Sequence, residues 1–130
     1  MKGFLLDTHT FLWAVSAPSK LGKKCRLTLE KNASVLYLSI GSIWEISIKR
    51  SLRKLQFDGS TETLLNQGQN DLGLSILSID TRHILSVEQL PLQHRDPFDR
   101  LLVAQCLIED LSILSGDEQF DEYGIRRVWS

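Results

Sequence analysis

The sequence predicts an α/β fold in which helices cover both faces of a parallel β-sheet. Short apolar runs that suit buried strands alternate along the chain with segments of helical character. The chain has 130 residues, the size of one domain, and its sequence shows no internal repeat, low-complexity tract or linker. We therefore expect a single domain over residues 1–130, with right-handed strand–helix–strand connections.

Five apolar runs are expected to form the strands of this sheet. They cover residues 3–6, 34–38, 74–79, 112–115 and 125–129. Helices are expected at residues 10–15, 21–31, 39–52, 61–72 and 81–90, and in a segment that begins after Asp96. Pro18, Gly73 and Pro91 follow three of these helical segments, and such residues commonly end helices.

The segment after Asp96 carries the clearest helix start. Asp96 fits the N-cap position, Pro97 fits the first helical position, and Asp99 falls in the first turn, where its charge faces the positive end of the helix dipole. Residues 101–108 are almost wholly apolar, so this helix is expected to be buried on most sides. A charged group at the start of a buried helix is either a cap or part of a site.

Composition and charge limit the classes of function. The formal net charge is −1, so an anionic ligand would have to be held by a local patch or a bound cation. The apolar run at the N-terminus is too short for a signal peptide or a membrane span, and we expect no membrane partner. Cys25 and Cys106 stand alone without a CxxC pair, which predicts two reduced, buried thiols in a cytoplasmic protein.

Acidic residues follow several of the predicted strands. Asp7 and Asp117 come directly after strands, Asp99 lies in the first turn of a helix, and Glu45 lies nearly two turns into another helix. The carboxyl ends of parallel strands and the starts of the following helices meet at one edge of a sheet, where ligands bind. We expect these four carboxylates to converge there, with Asp80 and Asp96 as further candidates.

Clustered carboxylates repel one another and need a cation or shared protons. Oxygen-only ligands favour hard ions such as Mg²⁺ or Mn²⁺ over zinc. The chemistry that suits such a site is phosphoryl transfer to water, in which a metal lowers the pKa of a bound water and neutralises charge on the phosphate.

Each acid also has a structural interpretation. Asp96 and Asp80 are each explained by helix capping, and Ser42 with Glu45 fits an S-x-x-E capping box. Asp117 fits a turn. Asp7, at the end of an apolar first strand, is the acid that such explanations suit least, and the joint placement of all four acids at one edge carries the argument.

The sequence resembles the PIN-domain nucleases of the VapC-type toxin group in four motifs that run from the first strand to the last. The motifs are Leu-Leu-Asp-Thr-His-Thr-Phe-Leu-Trp at 5–13, Ser39-x-x-Ser42-x-x-Glu45, His-Arg-Asp-Pro-Phe-Asp-Arg at 94–100 with Leu102-x-Ala104-Gln105, and Ser115-Gly116-Asp117 with Phe120 and Tyr123-Gly124. The first and third motifs are specific, and the other two would be weak alone.

The resemblance implies a PIN-like three-layer fold with a five-stranded parallel sheet. It implies an endoribonuclease that depends on Mg²⁺ or Mn²⁺ and acts as the toxin of a toxin–antitoxin pair, with RNA as substrate, a cognate antitoxin as partner and a homodimer as assembly. The implied catalytic and metal-binding residues are Asp7, Glu45, Asp99 and Asp117. Ser115 or Thr8 would supply an auxiliary hydroxyl, and the candidates for substrate contact are His94, Arg95 and Arg100.

Other interpretations of the chain remain open at this point. A catalytically idle PIN-like module that binds RNA or protein would lack a member of the acidic quartet, and none is missing. A two-component receiver domain needs paired acids after the first strand, whereas Asp7 is followed by Thr8. His9, His83 and His94 would serve a metal-free ribonuclease as catalytic bases.

Two groups of side chains have both a functional and a structural interpretation. The basic cluster Lys49, Arg50, Arg53 and Lys54 is either an RNA patch or a helix end that complements the macrodipole. Trp13 and Trp44 are either exposed aromatics at the rim, where an antitoxin segment would bind, or core residues.

Overall fold

The computed structural model describes residues 3–92 and 96–130. The strands are β1 (Phe4–Leu6), β2 (Leu36–Ser39), β3 (Ser75–Leu77), β4 (Ser112–Leu114) and β5 (Arg127–Val128). The helices are α1 (Thr8–Ser16), α2 (Lys23–Glu30), α3 (Ile40–Ser51), α4 (Thr61–Leu72), α5 (Thr81–Glu88) and α6 (Pro97–Glu109). Two 3₁₀ turns lie at Pro18–Lys20 and Glu118–Tyr123.

The five strands form one parallel sheet in the order β3-β2-β1-β4-β5. β1 is central, so that Leu6 lies beside Leu38 of β2 and Leu114 of β4. The predicted α/β fold with a five-stranded parallel sheet flanked by helices is confirmed. The ends of β1, β2 and β4 are therefore neighbours at one edge of the sheet.

Successive residues of each strand pack on opposite faces of the sheet, as strand geometry requires. Leu6 and Leu114 belong to an apolar cluster that includes side chains of α1, α2 and α4. Leu5 and Ile113 belong to a second cluster formed with α6 and the second 3₁₀ turn. Both strands are thus buried on two sides, which explains why they read as continuous apolar runs rather than alternating ones.

Several helix boundaries differ from the sequence-based expectation for identifiable reasons. α1 begins at Thr8 rather than at residue 10, because Asp7 is its N-cap and accepts from the backbone N–H of Thr10. The Ser42–Glu45 capping box is wrong: Ser39 caps α3 by accepting from Gly41 N–H, and Ser42 lies inside the helix. The expectation for α6 holds over residues 100–106, which are buried, whereas residues 107 and 108 are exposed.

The structure also bears on the thiols and on membrane insertion. Cys25 and Cys106 are both free and buried, and burial raises the pKa of each thiol to about 12. Within residues 3–92 and 96–130, no helix combines the length and the apolar content that crossing a membrane requires.

Candidate active site

Asp7 stands at the carboxyl end of the central strand and is buried. One carboxylate oxygen caps α1 through Thr10 N–H at 2.8 Å, and the other accepts from Ser115 Oγ at 2.5 Å. Burial raises the pKa of Asp7, while the bonds from Ser115 and Thr10 oppose that rise. The structural and functional interpretations of Asp7 are therefore not exclusive, because a cap leaves a carboxylate fixed at the sheet edge.

Ser115 connects two of the predicted acids. It follows β4, is fully buried, and accepts from the backbone N–H of Asp117 at 2.9 Å while its hydroxyl hydrogen goes to Asp7. Asp117 in turn caps the second 3₁₀ turn by accepting from Gln119 N–H. One hydroxyl group thus fixes the position of Asp117 relative to Asp7.

Glu45 reaches the same edge from α3, although it is almost completely buried. Its Oε1 accepts from Thr8 Oγ1 at 2.6 Å, and its Oε2 pairs with Lys49 Nζ at 2.6 Å. Thr8 is the first residue of α1 and follows Asp7, so this bond joins the starts of α1 and α3. Both predicted auxiliary hydroxyls, those of Thr8 and Ser115, contact a predicted acid.

Lys49, which the sequence suggested as part of a basic helix end, contacts the acidic cluster through Glu45. The hydrogen bond to Glu45 is the main cause that raises the pKa of Lys49, and the charges of Asp96 and Asp99 contribute. Its ammonium therefore lies in the field of acids from two helices. The signal was present in the sequence, since Glu45 and Lys49 are four residues apart on one helix and such pairs are neighbours.

Asp96 and Asp99 have different positions at the start of α6. Asp96 accepts from the backbone N–H groups of Phe98 and Asp99, which confirms it as the N-cap. Burial, followed by repulsion from Asp96 and from the rest of the quartet (Asp7, Glu45 and Asp117), raises the pKa of Asp99 to about 8. The four predicted acids therefore interact electrostatically around Asp99.

A different trio meets a simple distance criterion for a metal site. Among the described residues, Asp80, His83 and Glu109 form the one group of at least three such side chains whose ligand atoms all lie within 4.8 Å of one another. The quartet is spaced more widely in this conformation, so its side chains would have to turn toward a shared ion.

The ligand atoms of that trio already have partners. His83 Nδ1 accepts from the backbone N–H of Asp80, which leaves the hydrogen on Nε2 to be donated to Glu109 at 2.8 Å. Arg82 pairs with both Asp80 and Glu109, at 2.9 and 3.1 Å. The arrangement is a capping box that ties α5 to the end of α6, and it confirms Asp80 as a helix cap.

Comparison with known proteins decides the family. The model of the PIN-domain family matches residues 4–125 of the sequence. The chain belongs to the PIN-domain family. No match was found among curated proteins.

Solved structures with a similar fold include chains of two VapBC complexes and of FitAcB. A chain of the DNA-bound VapBC complex from Salmonella typhimurium is 20% identical, with a TM-score of 0.69, over 98% of this chain and 97% of that one. A chain of VapBC2 from Rickettsia felis, bound to a DNA fragment from the promoter, is 13% identical with a TM-score of 0.66 and covers 98% of each chain. FitAcB from Neisseria gonorrhoeae gives 17% identity and a TM-score of 0.60 over 95% of each chain.

Of the three residues expected to contact the substrate of this PIN domain, the structure describes only Arg100. His94 and Arg95 lie outside the described residues. The guanidinium of Arg100 is buried and donates to the backbone carbonyls of Pro91, Val87 and Leu90. These bonds connect α6 to the end of α5, which favours a structural role for Arg100 over contact with a substrate.

The two tryptophans named from the sequence differ in exposure. Trp44 is 59% exposed and packs edge-on against Phe98, with 5.3 Å between ring centroids. Trp13 is partly buried and packs against the core. The sequence analysis missed Trp129, which lies 6.0 Å from Trp13 between ring centroids.

Proposed function

We propose that this PIN domain is an endoribonuclease that requires Mg²⁺ or Mn²⁺ and acts as the toxin of a toxin–antitoxin pair. The observation that carries the proposal is the convergence of acids from four separate elements on Asp99, whose pKa is raised to about 8. Carboxyl groups brought close together repel one another, which raises the pKa of Asp99 and costs stability, so a site built in this way is suited to a cation.

The donor set fits a hard divalent ion. Asp7, Glu45, Asp99 and Asp117 offer only oxygen, and neither buried cysteine takes part. When bound, such an ion activates water and neutralises charge on a phosphate. Binding requires the proton to leave Asp99, because a protonated carboxyl is a poor ligand for a cation.

The remaining residues hold these ligands in position. Ser115 orients Asp7 and Asp117, and Thr8 orients Glu45. Lys49 places a positive charge on Glu45 from the side of α3, where it is well placed to contact a phosphate of the RNA once an ion shares the carboxylates. The domain over residues 1–130 would act in the cytoplasm, where both thiols remain reduced.

The partner proteins that we propose follow from the complexes in which the similar chains were solved. The similar structures include DNA-bound VapBC complexes, and we propose that this chain, which resembles VapC-type toxins, binds an antitoxin. An antitoxin would lay an amphipathic segment along exposed apolar side chains such as Trp44 and place an Arg or Lys among the carboxylates, which would exclude the metal. We also propose a homodimer, the commonest symmetric assembly.

The nuclease proposal is tested by incubating total RNA with the protein in Mg²⁺ or Mn²⁺, and again in excess EDTA. We expect cleavage only with the metal. Asp7→Asn should abolish cleavage while the protein stays folded, because asparagine also caps helices, and Asp58→Asn, at an exposed loop position, is the matched control. Full activity in EDTA would contradict the proposal, and RNA binding without cleavage would favour the idle module.

The toxin proposal needs a separate test. We expect expression of this chain alone to slow growth, and co-expression of the neighbouring small open reading frame to restore it. The neighbour's product should co-purify and block RNA cleavage. If the chain does not slow growth and the neighbour neither binds nor inhibits, the toxin proposal fails even where the nuclease proposal holds.

A further inference from the structure

A cleft of about 480 Å³ opens directly beside the acidic quartet. Two acids of the quartet, Asp7 and Asp117, line it, so the cleft adjoins the place where the proposed metal and the cleaved phosphate would lie. The rest of its lining consists of His9, Thr10, Trp13, Lys20, Gly116 and Trp129. The aromatic rings and the lysine among these residues are not required by the acidic site.

The aromatic side chains form a connected group. The ring centroids of His9 and Trp13 are 6.0 Å apart, and those of Trp13 and Trp129 are also 6.0 Å apart. Lys20 Nζ lies 5.9 Å from the Trp13 ring centroid. The two tryptophans are partly buried, so the core fixes their orientation while part of each ring faces the cleft.

Gly116 allows Trp129 to approach the acids. A Cβ atom at position 116 would lie 3.0 Å from Cε2 of the Trp129 ring and 3.2 Å from Cζ2, which is closer than ordinary contact. The ring therefore packs along the backbone between Ser115 and Asp117. The absence of a side chain at Gly116 places an aromatic surface immediately beside two residues of the proposed site.

We propose that this cleft binds one nucleobase of the RNA, next to the phosphate that is cleaved. The inference rests on the nuclease function proposed above and adds a base-recognition site to it. Aromatic side chains bind bases of single-stranded RNA by stacking, and a nearby cation holds the backbone. The base would stack in the Trp13–Trp129 cleft, with Lys20 contacting the adjoining phosphate.

The charges of the cleft favour RNA over a peptide segment. Asp7 and Asp117 can hold a phosphate only through a cation that both bind, whereas Lys20 can pair with the next phosphate directly. A nucleotide strand supplies a base between two phosphates and matches this arrangement. A cationic peptide that filled the cleft would meet repulsion from Lys20, whereas the single Arg or Lys proposed for an antitoxin needs to reach only the carboxylates.

The test uses tryptophan fluorescence in a Trp44→Phe background, which removes the exposed tryptophan outside the cleft. The probes are RNA hexamers of adenosine, of uridine and of abasic ribose-phosphate, in EDTA to prevent hydrolysis. Repulsion from the carboxylates affects all three probes alike. We expect the base-containing hexamers to quench the fluorescence and to bind about tenfold more tightly than the abasic one.

Substitutions at two positions separate the contribution of stacking from that of charge. Trp129→Leu should remove most of the preference for bases over the abasic probe, and Trp129→Phe should restore part of it. Lys20→Gln should weaken all three probes and lower the salt dependence of binding by about one unit of slope. Lys31→Gln is the matched control, because Lys31 is exposed and is not part of the cleft lining. It should change neither the affinity for the probes nor the salt dependence of binding.

The proposal is overturned if the abasic hexamer binds as tightly as the others, or if folded Trp129→Leu keeps the full preference. It is also overturned if the cleft fluorescence responds to the neighbouring open reading frame's product and not to RNA, which would make the cleft a protein-docking site. Cleavage of RNA with unchanged base preference in Trp129→Leu would leave the nuclease proposal intact and reject the base site alone.

Discussion

Ser115 Oγ donates to Asp7 Oδ2 at 2.5 Å, which joins the ends of β4 and β1 through one buried hydroxyl. The same oxygen accepts from Asp117 N–H, so Ser115 has a partner on each side. One hydroxyl group therefore links the Asp7 carboxylate to the backbone of Asp117.

Ser115→Ala should lower both stability and activity. Loss of the donor leaves a buried carboxylate oxygen of Asp7 without its partner, at a cost of about 1–3 kcal/mol in the free energy of unfolding. It also removes a bond that holds the pKa of Asp7 down, so Asp7 should keep its proton to higher pH and bind metal less well. We expect RNA cleavage at neutral pH to fall and the loss to become smaller as the pH is raised. Ser115→Thr, which keeps the hydroxyl, is the control; equal losses in both variants would contradict this role.

Asp96→Asn and Asp99→Asn should behave differently although the residues are three positions apart. Asparagine caps helices nearly as well as aspartate, so Asp96→Asn should change stability by a few tenths of a kcal/mol and keep most activity. Asp99→Asn removes the charge of a proposed metal ligand and should lower the cleavage rate at least about a hundredfold. Thermal unfolding and rate measurements on both variants check this. Equal losses of activity would show that Asp96 and Asp99 do not have these separate roles as cap and metal ligand.

The stability of the protein in EDTA should fall as pH rises from 5 to 8. An unfolded aspartate loses its proton near pH 4, whereas Asp99 in the folded state keeps it until about pH 8. Between these values the folded state binds more protons than the unfolded state, so the free energy of unfolding decreases with rising pH. Among the described residues, the charged groups that act on Asp99 include the acids Asp7, Glu45, Asp96 and Asp117 and the cation Lys49.

Asp99→Asn should flatten that profile, because the substituted side chain does not titrate. Thermal unfolding at pH 5, 6, 7 and 8 measures the difference between the two proteins. Addition of Mn²⁺ should stabilise the wild type more at pH 8 than at pH 6, since the ion competes with the proton for Asp99. Parallel profiles for wild type and variant would place the titrating group elsewhere.

Lys49→Gln should tighten metal binding while it weakens cleavage. The ammonium lies 2.6 Å from Glu45 and acts as a resident cation, so its removal leaves the cluster more negative. We expect the Kd for Mn²⁺, measured by calorimetry, to fall several-fold, and cleavage to slow because a phosphate contact is lost. Lys31→Gln supplies the control for loss of one positive charge, and Lys49→Arg should resemble the wild type. An unchanged Mn²⁺ affinity would show that the Lys49–Glu45 ion pair stabilises the helix and does not compete with the metal.

The sequence was sufficient for the fold and for the edge at which the acids gather. Both follow from local rules: apolar runs that alternate with helices, and strands whose ends share one edge. Asp7, Asp99 and Asp117 were placed at that edge because each lies shortly after a strand or in the first turn of a helix. The helix that Gly73 ends was also located correctly, since a left-handed residue with φ of 68° favours glycine.

The contacts that connect distant elements could not be obtained in this way. The bond of Thr8 to Glu45 spans 37 residues, and the approach of Trp129 to Trp13 depends on how β5 packs beside β4. The role of Arg100 was also hidden, because its three carbonyl partners lie where α5 ends and depend on the packing of α5 against α6. Periodicity reports which side of an element is buried but not which neighbour it meets.

The separation of 108 residues between Asp7 and Ser115 also bears on the order of events during synthesis. A nascent chain still attached to the ribosome has β1 early, but it cannot pair β1 with β4 until the intervening 108-residue stretch has emerged. The ribonuclease proposed above therefore cannot assemble its acidic site before that length of chain has been translated. The long-range contact order of the sheet would thus delay activity, which leaves time for an inhibitor to bind at the moment of folding.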